Sequence, residues 1–269
     1  MTEETNARPA ERWWQEHGGA EWMDEISKRR PLRPVYYLQE MFLSRYFKAM
    51  QRPLRVLEFG CGYGRHLDYL RRNPRLELHG CDQSERMLKQ ARQVLGDGDP
   101  VASRLVLTDP HRPLPYPDHT FDLTYTVSVL IHVPPEVLPS TLAELIRVTR
   151  HSILHVETNV VSEERMVSPI HDGCWAHNLI YAYHKQGAAC VVLPKHFMDE
   201  DIYRLTIAPD PAVEPVIDED EARNSLALDR GINQGLVGRD EDAKTQADEY
   251  EAAIHDYRRR VRMILDSLA

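Results

Sequence analysis

The sequence has 269 residues, 42% hydrophobic and 28% charged, with 33 Lys and Arg against 42 Asp and Glu for a formal net charge of -9. A chain of this length and ordinary composition can bury a large core, which excludes disorder as a whole-chain answer. The acidic balance disfavours a nucleic-acid partner held by its phosphate backbone and points to small or neutral substrates.

The N-terminus MTEETNARPAERWW lacks the basic-then-apolar layout of a signal peptide. The strongest apolar run, TVSVLIHV at 126–133, is far short of the ~20 residues of a membrane helix. A cytoplasmic location is therefore expected. Cys61, Cys81, Cys174 and Cys190 show no CxxC spacing, so reduced thiols are expected, and neither a disulfide framework nor a zinc ribbon.

In chain order, residues 1–50 are rich in aromatic and charged side chains and read as an N-terminal helical cap. After Pro31 and Pro34, Val35, Leu38, Phe42, Tyr46 and Ala49 share one helical face. Residues 51–208 alternate short apolar runs with helical patterns. The strand candidates are LRVLEF (54–59), LELHGC (76–81), RLVLTD (104–109), FDLTYTVS (121–128), SILHVET (152–158), ACVVLP (189–194) and IYRLTIA (202–208). Helical patterns at 65–72, 84–96, 142–150 and 176–186 separate most of them, which implies βαβ units and a parallel sheet. Ser84 is placed as an N-cap and Gly96 as a stop. The last two strands leave no room for a helix between them, so the later one is expected to run antiparallel.

Residues 209–240 open with Asp210, Glu214, Asp218, Glu219, Asp220 and Glu221 and read as an acidic linker. In 241–269, Ala243, Ala247, Tyr250, Ile254, Tyr257, Val261, Ile264 and Leu268 alternate spacings of four and three, the seam of a coiled coil. That C-terminal helix either joins two chains into a homo-oligomer or packs on its own domain.

The chemistry concentrates in VLEFGCGYGRHL (56–67), an apolar strand followed by Gly60, Gly62 and Gly64 and then a helix. A sharp turn with bare backbone lets a ligand approach closely. The dinucleotide spacing G-x-G-x-x-G would need glycine at Arg65, so another nucleoside cofactor is favoured. The next strand ends at Asp82, where a carboxylate can accept both hydroxyls of a ribose. The third ends at Asp109, where a carboxylate can accept from an adenine amino group.

Through VLEFGCGYGRHL, GCDQSERML (80–88) and LTDPHRPLPYPDHTFDLTYTVSVLIHV (107–133), residues 53–208 resemble the class I S-adenosylmethionine-dependent methyltransferases. The resemblance implies a Rossmann-like, doubly wound α/β sheet of seven strands with the last antiparallel, and S-adenosyl-L-methionine as cofactor. By position, Gly60 and Gly62 hold the methionine portion, Asp82 the ribose and Asp109 the adenine amino edge, while Gln83 and Met87 border the adenine. Glu58, Cys61, Gly64 and Ser128 complete the expected cofactor-binding set.

An (Asn/Asp)-Pro-Pro-(Tyr/Phe) box, the mark of nucleobase amino methylation in such enzymes, is replaced by TYTVS at 124–128, and no cysteine is placed as a nucleophile for pyrimidine C5 chemistry. His132 follows the fourth strand, where a histidine can take the acceptor's proton, and Glu157 and Asn159 follow the fifth. Residues 168–184 bring His171, Asp172, Trp175, His177 and Asn178 to the expected acceptor pocket. Expected catalytic residues are thus His132, Glu157 and His171. The set His171, Cys174 and His177 matches no common zinc spacing, so no metal is expected. The sequence reads best as a methyltransferase acting on an oxygen or nitrogen of a small molecule or sugar. A catalytically silent, assembling relative and an enzyme with a protein or RNA acceptor are the rivals.

Overall fold

A computed structural model describes residues 13–16, 18–29, 35–158, 167–171, 173–197 and 200–214. The strands are β1 (Leu54–Phe59), β2 (Leu76–Asp82), β3 (Leu105–Leu107), β4 (Phe121–Val127), β5 (Thr149–Thr158), β6 (Val167–His171), β7 (Cys174–His177), β8 (Cys190–Phe197) and β9 (Glu200–Thr206). Seven form one sheet in the order β3-β2-β1-β4-β5-β9-β8, and β6 pairs with β7 apart from it. Neighbours from β3 to β5 are parallel, whereas β9 runs antiparallel to both β5 and β8. Parallel neighbours need crossovers, and the helices that supply them cover both faces.

The helices are α1 (Ala20–Arg29) and α2 (Val35–Lys48), which precede β1, and α3 (Arg65–Leu70), α4 (Glu85–Leu95), α5 (Leu138–Val148) and α6 (Leu179–His184), which lie between strands. Phe42, Phe47, Leu67, Leu88 and Ala91 from α2, α3 and α4 pack with Val56, Tyr125 and Val156 on one face of the sheet. Leu142, Leu145 and Tyr183 from α5 and α6 pack with Leu57, Phe121 and Ile153 on the other. The helix at α4 has the expected ends: the Ser84 hydroxyl accepts from the Met87 N–H, and Gly96 takes a φ of 87°. In α2 the buried face continues through Leu43 and Phe47, while Ala49, past the helix end at Lys48, is exposed and Met50 after it is buried.

Two expectations are corrected. The third strand is three residues, 105–107, so Asp109 lies in a loop beyond it. β6 and β7 pair as an antiparallel unit in the segment expected to line the acceptor pocket, so Ala176 and His177, expected at the start of a helix, end a strand and the helix begins at Leu179. Among the described residues no helix is long and apolar enough to cross a membrane. The expected 241–269 helix and most of the acidic 209–240 segment lie outside the described residues.

Candidate active site

β1 delivers the chain into a left-handed turn, with φ of 71° at Gly60, 53° at Gly62 and 80° at Gly64. The Gly60 and Cys61 N–H groups donate to the Cys81 carbonyl at 2.8 and 2.9 Å, which ties the turn to the end of β2. The three glycines serve different ends. A Cβ on Gly60 would lie 2.5 Å from Val129 Cγ1, and one on Gly64 would lie 3.1 Å from Ala91 Cβ, so both are set by packing. A Cβ on Gly62 would meet nothing within 4 Å. Bare backbone facing open space is what a closely approaching ligand requires.

The Gly62 N–H donates to Asp82 Oδ2 at 2.9 Å, and the Ser84 N–H to Oδ1 at 2.9 Å. Burial pushes the Asp82 carboxyl up to about 6, against the pull of these backbone donors. The acid and the glycine turn are thus one unit at the carboxyl edge of β1 and β2. Gln83, beside it, is half-buried. Asp109 is exposed, with Oδ1 accepting the His111 N–H at 2.9 Å and Oδ2 3.3 Å from the Arg112 guanidinium.

Two members of the expected set sit deeper than the sequence implies. Glu58 is buried under the turn with Oε1 2.7 Å from His66 Nδ1, and burial pushes its carboxyl up to about 8. It therefore supports the turn from beneath. Met87 is buried too, its sulfur accepting the Gly19 N–H at 3.2 Å, because the N-terminal cap lies across the first turn of α4. The Ser84 hydroxyl donates to the Trp14 carbonyl at 2.8 Å in the same seam. Cys61 and Cys81 are buried thiols whose pKa burial pushes far up, so neither is a nucleophile.

On the acceptor side, β4 ends in a turn that begins at Ser128, whose φ is 53°. The Ser128 hydroxyl accepts from the Gln39 amide at 3.1 Å, and Gln39 Oε1 accepts from Arg65 at 2.6 Å. Arg65 also pairs with the buried Glu40 at 3.2 Å. One arginine thus clamps α2 onto the turns after β1 and β4. The sequence shows Arg65 only as a missing glycine, and its partners are about 26 positions away.

His132 closes a 3-10 turn, Leu130–His132. Its Nδ1 is 3.3 Å from Cys174 Sγ, and its ring centroid is 4.8 Å from that of Trp14. Trp14 in turn packs edge-on against Trp13 and Trp22. His177 Nε2–H donates to the Val133 carbonyl at 2.9 Å, with burial lowering the His177 pKa, and burial pushes the Cys174 thiol up to about 11. Cys174 and His177 therefore have different partners, and both pin the β6-β7 hairpin to the His132 turn. His171 ends β6 with its backbone opposite Cys174.

Glu157 is the main correction. It is fully buried, with Oε1 accepting from the Thr126 hydroxyl at 2.7 Å and the Val129 N–H at 3.0 Å. Oε2 accepts from the N–H groups of Val129 and Leu130, each at 3.1 Å. Because Thr126 spends its proton on Glu157, its oxygen accepts from His155 Nδ1–H at 2.7 Å, and His155 Nε2 accepts from the Tyr183 hydroxyl at 2.6 Å. Burial pushes His155 down to about 3, so this imidazole is neutral, and pushes Glu157 up to about 7.

Residues 56–152 match the methyltransferase domain family. An uncharacterized methyltransferase of Schizosaccharomyces pombe is 30% identical over 109 residues, a stretch that covers 38% of this chain and 38% of that protein. Among solved structures, the magnesium protoporphyrin IX methyltransferase of Synechocystis PCC 6803 with bound SAH aligns at a TM-score of 0.55 and 14% identity, over 74% of this chain and 98% of its own. A putative S-adenosyl-L-methionine-dependent methyltransferase of Methanococcus maripaludis aligns at 0.53 and 15%, over 74% and 94%. These two likenesses concern the fold. The matched methyltransferase domain spans the glycine turn, Asp82 and the His132 turn.

Proposed function

We propose that this protein transfers the methyl group of S-adenosyl-L-methionine to an oxygen or nitrogen of a small molecule. The observation that carries the cofactor half is the unit of Gly62 and Asp82: backbone open to a ligand, joined by a 2.9 Å hydrogen bond to a half-buried carboxylate. That unit fits the cofactor. Gly60 and Gly62 would flank its methionine portion, and Asp82 has lone pairs left for the ribose hydroxyls. When bound, the cofactor supplies an activated methyl group that an acceptor lone pair displaces from a positively charged sulfur.

The chain's own part is alignment, exclusion of water and management of one proton. Trp14, the Gly18–Gly19 segment and the β6-β7 hairpin close over the turns at this edge, which supports a small acceptor. His132 Nδ1 lies 3.3 Å from the Cys174 sulfur, and in the tautomer in which Nδ1–H donates to that sulfur, Nε2 is the basic nitrogen that would receive the acceptor's proton. Four free cysteines fit a reducing, cytoplasmic setting.

Calorimetry with S-adenosylhomocysteine, then incubation with methyl-labelled cofactor and fractionated metabolite pools, tests the reading. Binding and a labelled small product are expected. Failure to bind the cofactor product would overturn the assignment, and label appearing only in protein or RNA would overturn the acceptor class.

A further inference from the structure

The carboxylate of Glu157 is fully buried, and its donors include the backbone of the turn that builds the site. Val129, whose N–H reaches both Glu157 oxygens, is the side chain that fills the space in front of Gly60, where a Cβ would lie 2.5 Å from Cγ1. Leu130, whose N–H reaches Oε2, begins the 3-10 turn that ends in His132. Ser128, immediately before them, is held in a left-handed conformation that a side chain disfavours, so the turn needs external anchors. We propose that Glu157 is a positioning residue that seats Val129 against Gly60 and aims His132 at the acceptor, so that one buried carboxylate sets both walls of the site together.

The proposal rests on the functional reading above for what the two walls do. The ordered donor series Tyr183, His155, Thr126 supports it from behind, since each hydroxyl or ring proton points toward Glu157 and fixes its rotamer. A glutamine at 157 would keep the shape and one acceptor oxygen, but would set its amide N–H groups against backbone donors. Valine at 126 would remove the donor that orients the carboxylate while preserving volume.

The test uses the full chain and compares Glu157→Gln and Thr126→Val with Leu95→Ala, a core control at the far end of α4. Each is read below its own melting temperature by the His132 imidazole NMR resonance, assigned through its loss in His132→Ala, and by S-adenosylhomocysteine calorimetry. A positioning role predicts a displaced His132 resonance and affinity weaker by about fivefold or more in both site variants, the equivalent of one hydrogen bond. The core control should melt earlier with both readouts as in the wild type. A wild-type resonance, or affinity within about twofold of wild type, in both site variants would overturn the proposal. Should Glu157→Gln fail to fold, Thr126→Val decides alone. If the wild type binds no S-adenosylhomocysteine, the functional reading fails, and the His132 resonance still decides the positioning role.

Discussion

The glycine turn supports a paired prediction in which stability and binding change in opposite order. Gly60→Ala and Gly62→Ala both place a side chain at positive φ, 71° and 53°, which costs ~1–2 kcal/mol in either case. Beyond that they part. The new methyl at 60 lands 2.5 and 2.7 Å from the two Val129 γ-carbons and 3.1 Å from its Cβ. Val129 cannot swing away cheaply, because it is β-branched and its N–H is held by Glu157, so overpacking adds ~1–3 kcal/mol. The new methyl at 62 meets nothing within 4 Å and adds no such penalty. At roughly 2–4 °C per kcal/mol, Gly60→Ala should melt about 4–20 °C below wild type and Gly62→Ala about 2–8 °C below. Calorimetric binding should rank them the other way. The Gly62→Ala methyl occupies the open space proposed for the cofactor, so S-adenosylhomocysteine affinity should fall by about tenfold or more, which corresponds to roughly 1.4 kcal/mol. Equal losses of stability would refute the packing argument around Val129, and wild-type affinity in Gly62→Ala would remove that backbone from the cofactor site.

Three further outcomes are expected. Asp82→Ala should weaken S-adenosylhomocysteine binding by about 1.5–3 kcal/mol in calorimetry; with the carboxyl raised to about 6, wild-type affinity should also fall between pH 7 and 5 as the acceptor is protonated, a dependence the variant lacks. His132→Ala should lower turnover by roughly 10²-fold with S-adenosylhomocysteine affinity unchanged, and near-normal turnover would mean that alignment alone carries the reaction. Glu58 has a folded-state pKa of about 8 against an ordinary 4.5, so its contribution to stability is full below 4.5 and is lost as pH rises through 8. Urea unfolding of wild type should therefore lose stability from pH 5 to 8 more steeply than Glu58→Gln does, and parallel curves would mean that Glu58 stays ionised.

Local pattern is enough for the fold's frame. Leu54–Phe59, the positive-φ glycines after it and the Ser84 and Gly96 ends of α4 each announce themselves within a few residues, because pleat, turn and cap are short-range constraints. Asp82 is legible for the same reason: it ends an apolar strand that topology places beside the glycine turn. The inward face of Glu157 is not. Ser152 to Glu157 are all buried, since helices cover both faces of the sheet, so β5 carries no polar alternation to tell inside from edge. The carboxylate's direction is decided by the backbone donors of the turn after β4, some 28 residues earlier. Arg65 clamping Gln39 and Glu40, Trp14 against His132 and Cys174 beside the same ring likewise join segments that composition treats as separate. The sequence by itself determined the sheet, the turn and the acid at its end; only tertiary packing decided which strand-end side chains touch a ligand and which hold the others in place, because that choice depends on long-range donors that no local period encodes.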